Sequence, residues 1–178
     1  MSTLKVSTIS PLGTDSTNTI TIGTNGTDTV TGAGSMVPAF FARLSSDQSI
    51  SSDTSTKIQV DSEVFDSDNT YDNSSNYRFT PAVAGKYFVF AGVRFDNQTS
   101  QATMRAELSF NGSVIGSNFL AANDSSSNRD YTVTVSCIQT FDSDDYMELF
   151  AQSDLSSPTI NGASTNKTYF GAYKIIGA

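Results

Sequence analysis

The chain has 178 residues, of which 37% are hydrophobic and only 16% are charged, and its formal net charge is -8 at pH 7. A chain of this length can bury the core of one domain, and its negative charge would repel phosphate backbones and anionic membranes, so we expect no nucleic-acid partner. Histidine is absent and cysteine occurs once, which excludes histidine triads, cysteine–histidine pairs and zinc sites built from these residues.

Residues 1–36 form an arm rich in Thr, Asn and Gly. It carries two short alternating runs, near Ile20 and Val30, split by an Asn25-Gly26 turn signal. Three or four aliphatic side chains cannot offset the entropy of ordering about 35 residues at about 1 to 2 kcal/mol each. We therefore expect an anchoring arm with short β segments that other chains order, the alternative being a flexible tail. No apolar run resembles an export signal or a membrane span, so we expect neither export nor membrane insertion.

Residues 37–178 alternate between short strand patterns and stretches rich in Ser, Asp, Asn and Gly. No segment shows a sustained apolar period of 3.6 residues, so the pattern predicts an all-β antiparallel sandwich that forms one head domain. Cys137 lies in the alternating run YTVTVSCIQTF, which predicts a buried, inert thiol. The predicted strands cover 38–44, 56–60, 77–80, 86–95, 101–110, 113–119, 131–141, 146–152 and 168–176.

The acidic segment that includes Asp66, Asp68 and Asp72 has oxygen donors that could hold a calcium ion. It does not fit an EF-hand, because Thr70 and Tyr71 follow where a loop glycine is required. We predict a solvated acidic loop with no metal and no other cofactor, and calcium is the alternative.

The stretch from residue 77 to residue 95 reads YRFTPAVAGKYFVFAGVRF. Tyr77 and Phe79 share one face of a strand, and Pro81 and Gly85 bracket a turn before the next strand. This stretch resembles the globular-head signature of the tumour-necrosis-factor and complement superfamily. Further matches are the Asn111-Gly112 turn, the pair Asp144 and Asp145 before YMELFAQ, and the closing run TYFGAYKII. The resemblance implies a jelly-roll head over 37–178 that assembles through a three-fold interface.

Several strands are apolar on both faces, although a sandwich has only one core. The extra face predicts a second burial surface, and by the resemblance this is the interface of a homotrimer, the alternative being loops that cover it. The residues assigned to this surface are Phe41, Phe88, Phe90, Tyr169 and Tyr173, the alternative being that the other apolar set of these strands faces the interface. The strand at 101–110 differs, since Met104 and Leu108 alternate with Arg105 and Glu107, which predicts one buried and one wet face.

The opening of the chain is similar to the beginnings of small virion proteins of bacterial viruses. Together with the head resemblance, this predicts a non-enzymatic homotrimeric bacteriophage virion protein, a tail fibre, head fibre or capsid decoration, assembled in the host cytoplasm and exposed on the particle. The arm would bind other virion proteins. Loops with Tyr71, Tyr77 and Arg129 as first contacts would bind a host cell-surface glycan or protein. The alternatives are a purely structural capsid cement protein and an extracellular lectin-like or signalling head of a cellular organism.

Overall fold

Two antiparallel sheets pack on one another around a shared core. The computed structural model describes residues 38–98, 101–122, 129–163 and 165–177, and these contain strands and no helix. The strands are β1 (Ala39–Arg43), β2 (Gln48–Ser49), β3 (Thr56–Lys57), β4 (Ser62–Asp66), β5 (Tyr71–Asp72), β6 (Arg78–Phe79), β7 (Gly85–Gln98), β8 (Ala102–Phe110), β9 (Ser113–Ala122), β10 (Arg129–Phe141), β11 (Met147–Ser153), β12 (Thr159–Ile160) and β13 (Tyr169–Gly177).

The two sheets contain strands from different parts of the chain, and β8 and β9 form a hairpin within one of them. The front sheet has the order β2-β12-β7-β13-β1-β4, with β10 also paired to β7. The back sheet has the order β5-β6-β11-β8-β9, with β3 also paired to β11. All of these pairings are antiparallel. The predicted all-β antiparallel sandwich is therefore confirmed for the described residues, whereas the arm over 1–36 and its boundary lie outside them.

Each of the nine predicted strands overlaps an observed strand, and the predicted Asn111-Gly112 turn joins β8 to β9. Phe110 pairs with Ser113, so the turn has two residues. Their φ angles are 48° and 81°, and positive values at both positions are typical of the type I′ turn that favours Asn-Gly. The prediction missed β2, β4, β5 and β12. Three of these have only two residues, and β4 lies in a segment whose acidic side chains resemble a loop.

The core between the sheets is rich in aromatic rings. Phe40 stacks on Tyr71 and Phe79, with ring centroids 4.5 and 4.8 Å away. Phe141 packs edge-on against Tyr87 at 5.2 Å. Each fully buried ring contributes about 1.5 to 3 kcal/mol through removal from water, so these contacts fix how the two sheets face each other.

The prediction of a wet outer face for β8 is wrong for part of the strand, because Glu107 and Ser109 are buried. The segment that contains β3 pairs with β11 beside them. From this segment the Ser55 hydroxyl donates to Glu107 Oε2 at 2.6 Å, and Lys57 Nζ forms a 2.5 Å ion pair with Glu148 Oε1. A polar layer therefore covers this part of the back sheet.

Candidate functional site: an aromatic face on the front sheet

The front sheet buries apolar side chains on both of its faces. Along β7, Tyr87, Val89 and Ala91 are buried between the sheets, whereas Phe88 and Phe90 lie half-buried on the outer side. The period of two in a strand produces this division. The same alternation in β1 and β13 places further rings on the outer side. The outer set, which we call the aromatic face, is Phe41, Phe88, Phe90, Tyr169 and Tyr173.

Strand register brings the aromatic face together as one connected cluster. Phe88 lies opposite Tyr173, with ring centroids 5.5 Å apart. Phe90 lies 5.8 Å from Phe88 and 6.2 Å from Phe41, and Phe41 lies 5.8 Å from Tyr169. These separations are those of interacting aromatic pairs. The five residues selected from the sequence thus form one connected surface.

Two glycines let these rings lie flat on the sheet. A Cβ atom at Gly171 would stand 2.6 Å from Phe90 Cζ and 3.1 Å from Phe41 Cδ2. A Cβ atom at Gly92 would stand 2.6 Å from Tyr169 Cε1. The glycines therefore provide the space that the rings occupy, a function that the sequence analysis did not assign to them.

Two exposed apolar residues extend the aromatic face at its sides. Ile138 of β10 pairs with Phe88 and is 64% exposed, and Phe65 of β4 pairs with Phe41 and is 52% exposed. Neither residue was predicted from the sequence to lie on this surface. Ile138 breaks the polar alternation of Thr134 and Ser136, a signal that could have identified it, whereas Phe65 lies in a strand that was not predicted.

Charged groups lie at one end of β7, beyond the rings. Arg94 Nε and Nη2 donate to Asp130 Oδ2 at 3.0 and 2.7 Å. Asp96 follows on the same face of β7, and its pKa is raised by burial, by its hydrogen bond to Asp130 and by the charges of Asp130 and Asp47, with Lys167 acting in the opposite direction. This end of the face is polar and sensitive to pH.

A second apolar surface lies along β9, the last strand of the back sheet. Asn118 Nδ2 donates to the carbonyl of Thr134 at 2.9 Å, which holds β9 beside β10 at this side of the sandwich. We call its exposed apolar residues the β9 edge. They are Val114, Ile115, Phe119 and Leu120, of which Phe119 is 63% exposed.

The residues predicted to face a receptor do not all lie at the surface. The prediction for Tyr71 is wrong. Its ring is buried in the core and its hydroxyl donates to the carbonyl of Val60 at 2.8 Å, so it is not a surface contact. Its ring packs between the sheets against Phe40 and Phe170. Tyr77 is half-buried with a φ of 51°, and Arg129 is exposed at the start of β10.

The acidic residues weighed as calcium ligands serve separate loop contacts. Asp66 accepts hydrogen bonds from the backbone of Asp68 and Tyr71. Asp72 accepts from the backbone of Ser74, Ser75 and Asn76, which holds the pKa of its carboxyl well below the usual range. Within the described ranges, no three acidic, Cys or His side chains are grouped so that they could hold a metal ion.

Cys137 lies half-buried against the core, and burial raises the pKa of its thiol. A raised pKa disfavours the reactive thiolate. Among the residues that the structure describes, none belongs to a helix long and apolar enough to cross a membrane.

Solved structures share this fold. The Eiger TNF of S. frugiperda superposes with a TM-score of 0.59 and 9% sequence identity, over 79% of this chain and 93% of that one. The globular domain of the zebrafish complement 1qA protein superposes with a TM-score of 0.55 and 13% identity, over 79% of this chain and 99% of that one. The predicted jelly roll of the tumour-necrosis-factor and complement type is therefore confirmed. No protein-family model and no curated protein matches the sequence.

Proposed function

We propose that this chain is a non-enzymatic head that assembles as a homotrimer by burying its aromatic face between copies. The connected ring cluster on the outer side of the front sheet carries the proposal. Large contiguous apolar patches are rare on soluble monomers, and here five half-buried rings are connected on one face. Full burial of an exposed ring contributes about 1.5 to 3 kcal/mol, and these half-buried rings would gain part of that on association. The fold likeness to a TNF and to a complement head supports this assembly.

A three-fold ring requires two different contact surfaces on each copy, because its contacts are heterologous. The aromatic face is one surface and the β9 edge is the other. The two surfaces belong to different sheets. Phe119 and Leu120 lie on β9 of the back sheet, whereas the rings lie on the front sheet. In the proposed trimer, the β9 edge of each copy packs on the aromatic face of its neighbour.

Charge substitution at an exposed position tests the aromatic face without disturbing the core. Ile138→Asp introduces a carboxylate beside Phe88 at a position that is 64% exposed, so the fold should persist. We expect sedimentation to show a monomer for this variant and a trimer for the wild type. Val83→Asp is the matched control, because Val83 is 45% exposed in the turn before β7. Equal masses for the two variants would show that Ile138 does not lie in the interface.

We further propose that the trimer is a structural component of a bacteriophage particle, attached through residues 1–36 and displaying its head for host-surface binding. The similarity of the opening residues to small virion proteins supports this role. A repeated head would also convert weak contacts with a repetitive surface into avid binding. A cement protein that touches no host, and an extracellular head of a cellular organism, are the competing functions.

Removal of residues 1–36 separates these functions. A fibre head without its arm should lose attachment to particles and still adhere to host cells. A cement protein should lose attachment and show no adhesion. Electron microscopy of a native particle with this subunit labelled would locate it directly, and failure to find it on any particle would favour the cellular head.

A further inference from the structure

A polar cleft lies on the side of the sandwich away from β9. It has a volume of about 620 Å³, and it lies between β4, the last strand of the front sheet, and the β5–β6 pair at the end of the back sheet. Its lining includes Glu63, Asn69, Asn73, Arg78 and Thr80. No residue of the aromatic face or of the β9 edge lines it, so the cleft is a separate surface.

The loop after Asp72 forms part of the cleft, and the carboxylate of Asp72 holds this loop in place. Asp72 accepts five hydrogen bonds of 2.8 to 3.3 Å, from the backbone of Ser74, Ser75 and Asn76, from the Ser74 hydroxyl and from the Asn76 amide. At the other side, Asp66 Oδ2 accepts from the backbone N–H of Tyr71 at 2.7 Å. These bonds fix the loop before any ligand arrives, which lowers the entropy cost of binding.

The backbone has a positive φ angle at both ends of this loop. Asn69 has a φ of 57° and Tyr77 has a φ of 51°. Asn tolerates the left-handed region, whereas a bulky Tyr rarely occupies it. Strain of this kind persists only where surrounding contacts hold it, and it is concentrated at ligand sites.

Several polar groups that line the cleft are not used within the protein. In the described part of the chain, the side chains of Glu63, Asn69, Asn73 and Thr80 form no hydrogen bond to another residue. The Arg78 guanidinium lies 4.6 Å from the centroid of the Tyr146 ring, a cation–π contact that orients its N–H groups. The cleft thus offers a carboxylate acceptor, amide donors and acceptors, a hydroxyl and a guanidinium.

This chemistry selects the class of ligand. The lining is almost entirely polar, so it does not suit an apolar small molecule, and mixed donors and acceptors match a ligand dense in hydroxyl groups. Glu63 and Asp72 bring two negative charges against one from Arg78, and the chain as a whole carries -8. Anionic sugars would therefore be repelled.

We propose that the cleft binds a neutral oligosaccharide. Sugar hydroxyls would donate to Glu63 and to the amide oxygens, and would accept from Arg78 and Asn73. This inference rests on the proposed role of the head in host-surface binding and names the site and the ligand class for it. Three copies in a trimer would multiply a weak single-site affinity.

An array of neutral hexose and N-acetylhexosamine oligosaccharides, with sialylated versions alongside, tests the proposal on the full-length chain. We expect the wild type to bind neutral members and to reject sialylated ones. Asn73→Ala should weaken binding about fivefold, the loss of about one hydrogen bond. Asn166→Ala is the matched control, an exposed Asn in the loop before β13, and it should bind as the wild type does.

The proposal is overturned if no neutral member binds, if sialylated members bind better, or if Asn73→Ala and Asn166→Ala bind equally. The mass of each sample is measured first, so that assembly and binding are judged separately. A trimer that binds no neutral sugar would contradict the proposed sugar site and would leave the proposed trimer intact. A monomer that binds a neutral sugar through Asn73 would contradict the proposed trimer and would leave the proposed sugar site intact.

Discussion

At the scale of single residues, the aromatic face depends on positions that lack a side chain. Gly171 lies between Phe90 and Phe41, and its missing Cβ leaves room for both rings. The same relation holds for Gly92 and Tyr169. Because a strand glycine normally weakens a sheet, its presence at these positions is explained by the rings that lie over it.

Gly171→Ala should therefore lower the free energy of unfolding by about 2 kcal/mol, the usual cost of overpacking a well-packed site. Gly116→Ala is the control, because a Cβ atom there would meet no atom closer than 3.7 Å, and it should change the free energy by less than about 1 kcal/mol. Urea unfolding measures both values. Equal losses for the two variants would show that the rings do not need the space at Gly171.

Asp96 gives a prediction about pH. Its pKa is raised above the ordinary value of 3.8, first by burial and then by Asp130, so the folded chain binds more protons than the unfolded chain in the interval between the two pKa values. The contribution of this group to stability is fully present below pH 3.8 and is lost as the pH rises through the folded pKa. The charged carboxylate therefore opposes folding at neutral pH.

Asp96→Asn should raise the melting temperature at pH 7 and have a smaller effect at pH 4, because the wild-type group is then partly protonated. Asp144→Asn, at an exposed turn position, is the control and should leave the pH dependence of the melting temperature as in the wild type. Thermal unfolding between pH 4 and pH 7 gives the comparison. A lower melting temperature for Asp96→Asn at pH 7 would contradict the assigned repulsion.

At the scale of strands, the sequence predicts the sheet elements well and their edges poorly. Period-two alternation identified β7, β8, β10 and β13 because each buries one face in the core. It failed for β4, whose side chains are mostly exposed at the end of a sheet. It also failed for the outer side of β8, because the cover over Glu107 comes from a segment about fifty residues away in the chain.

Among the residues of the candidate site, some could likewise be predicted from the sequence and others could not. The five rings of the aromatic face could be grouped from the sequence because they alternate with a second apolar set on their strands, but only the structure shows which of the two sets faces the core. Phe65 could not, because its place beside Phe41 depends on pairing between β1 and β4. Tyr71 was misplaced because a two-residue strand shows no alternation from which its direction could be inferred. Tertiary pairing, and not local pattern, decides these positions.

The ion pair between β3 and β11 gives a prediction at this scale. Lys57→Ala would leave the Glu148 carboxylate, whose side chain is 9% exposed, without its 2.5 Å partner. Because Lys57 itself is 34% exposed, we expect a loss of about 2 kcal/mol, less than for a fully buried pair. Denaturant unfolding measures it, with the exposed Lys86→Ala as control.

Adding Glu148→Gln to Lys57→Ala should recover part of this loss, because the buried group is then neutral. No recovery would mean that Lys57 stabilises β3 through packing of its side-chain stem and not through its charge.

At the scale of the whole molecule, three surfaces divide the sandwich. The aromatic face and the β9 edge are apolar and would meet in the trimer. The polar cleft, beside β4 and β5, is lined by residues of neither surface. One fold can therefore assemble through two surfaces and bind through a third, and a change in one should leave the others intact.

The mass of the full-length wild-type chain in solution tests the central claim most directly. Sedimentation equilibrium at micromolar concentration should give three times the chain mass of 19.0 kDa, because burial of the aromatic face outweighs the entropy lost on association. A single species of 19.0 kDa under the same conditions would contradict the account, since the aromatic face would then be exposed to water in a stable monomer.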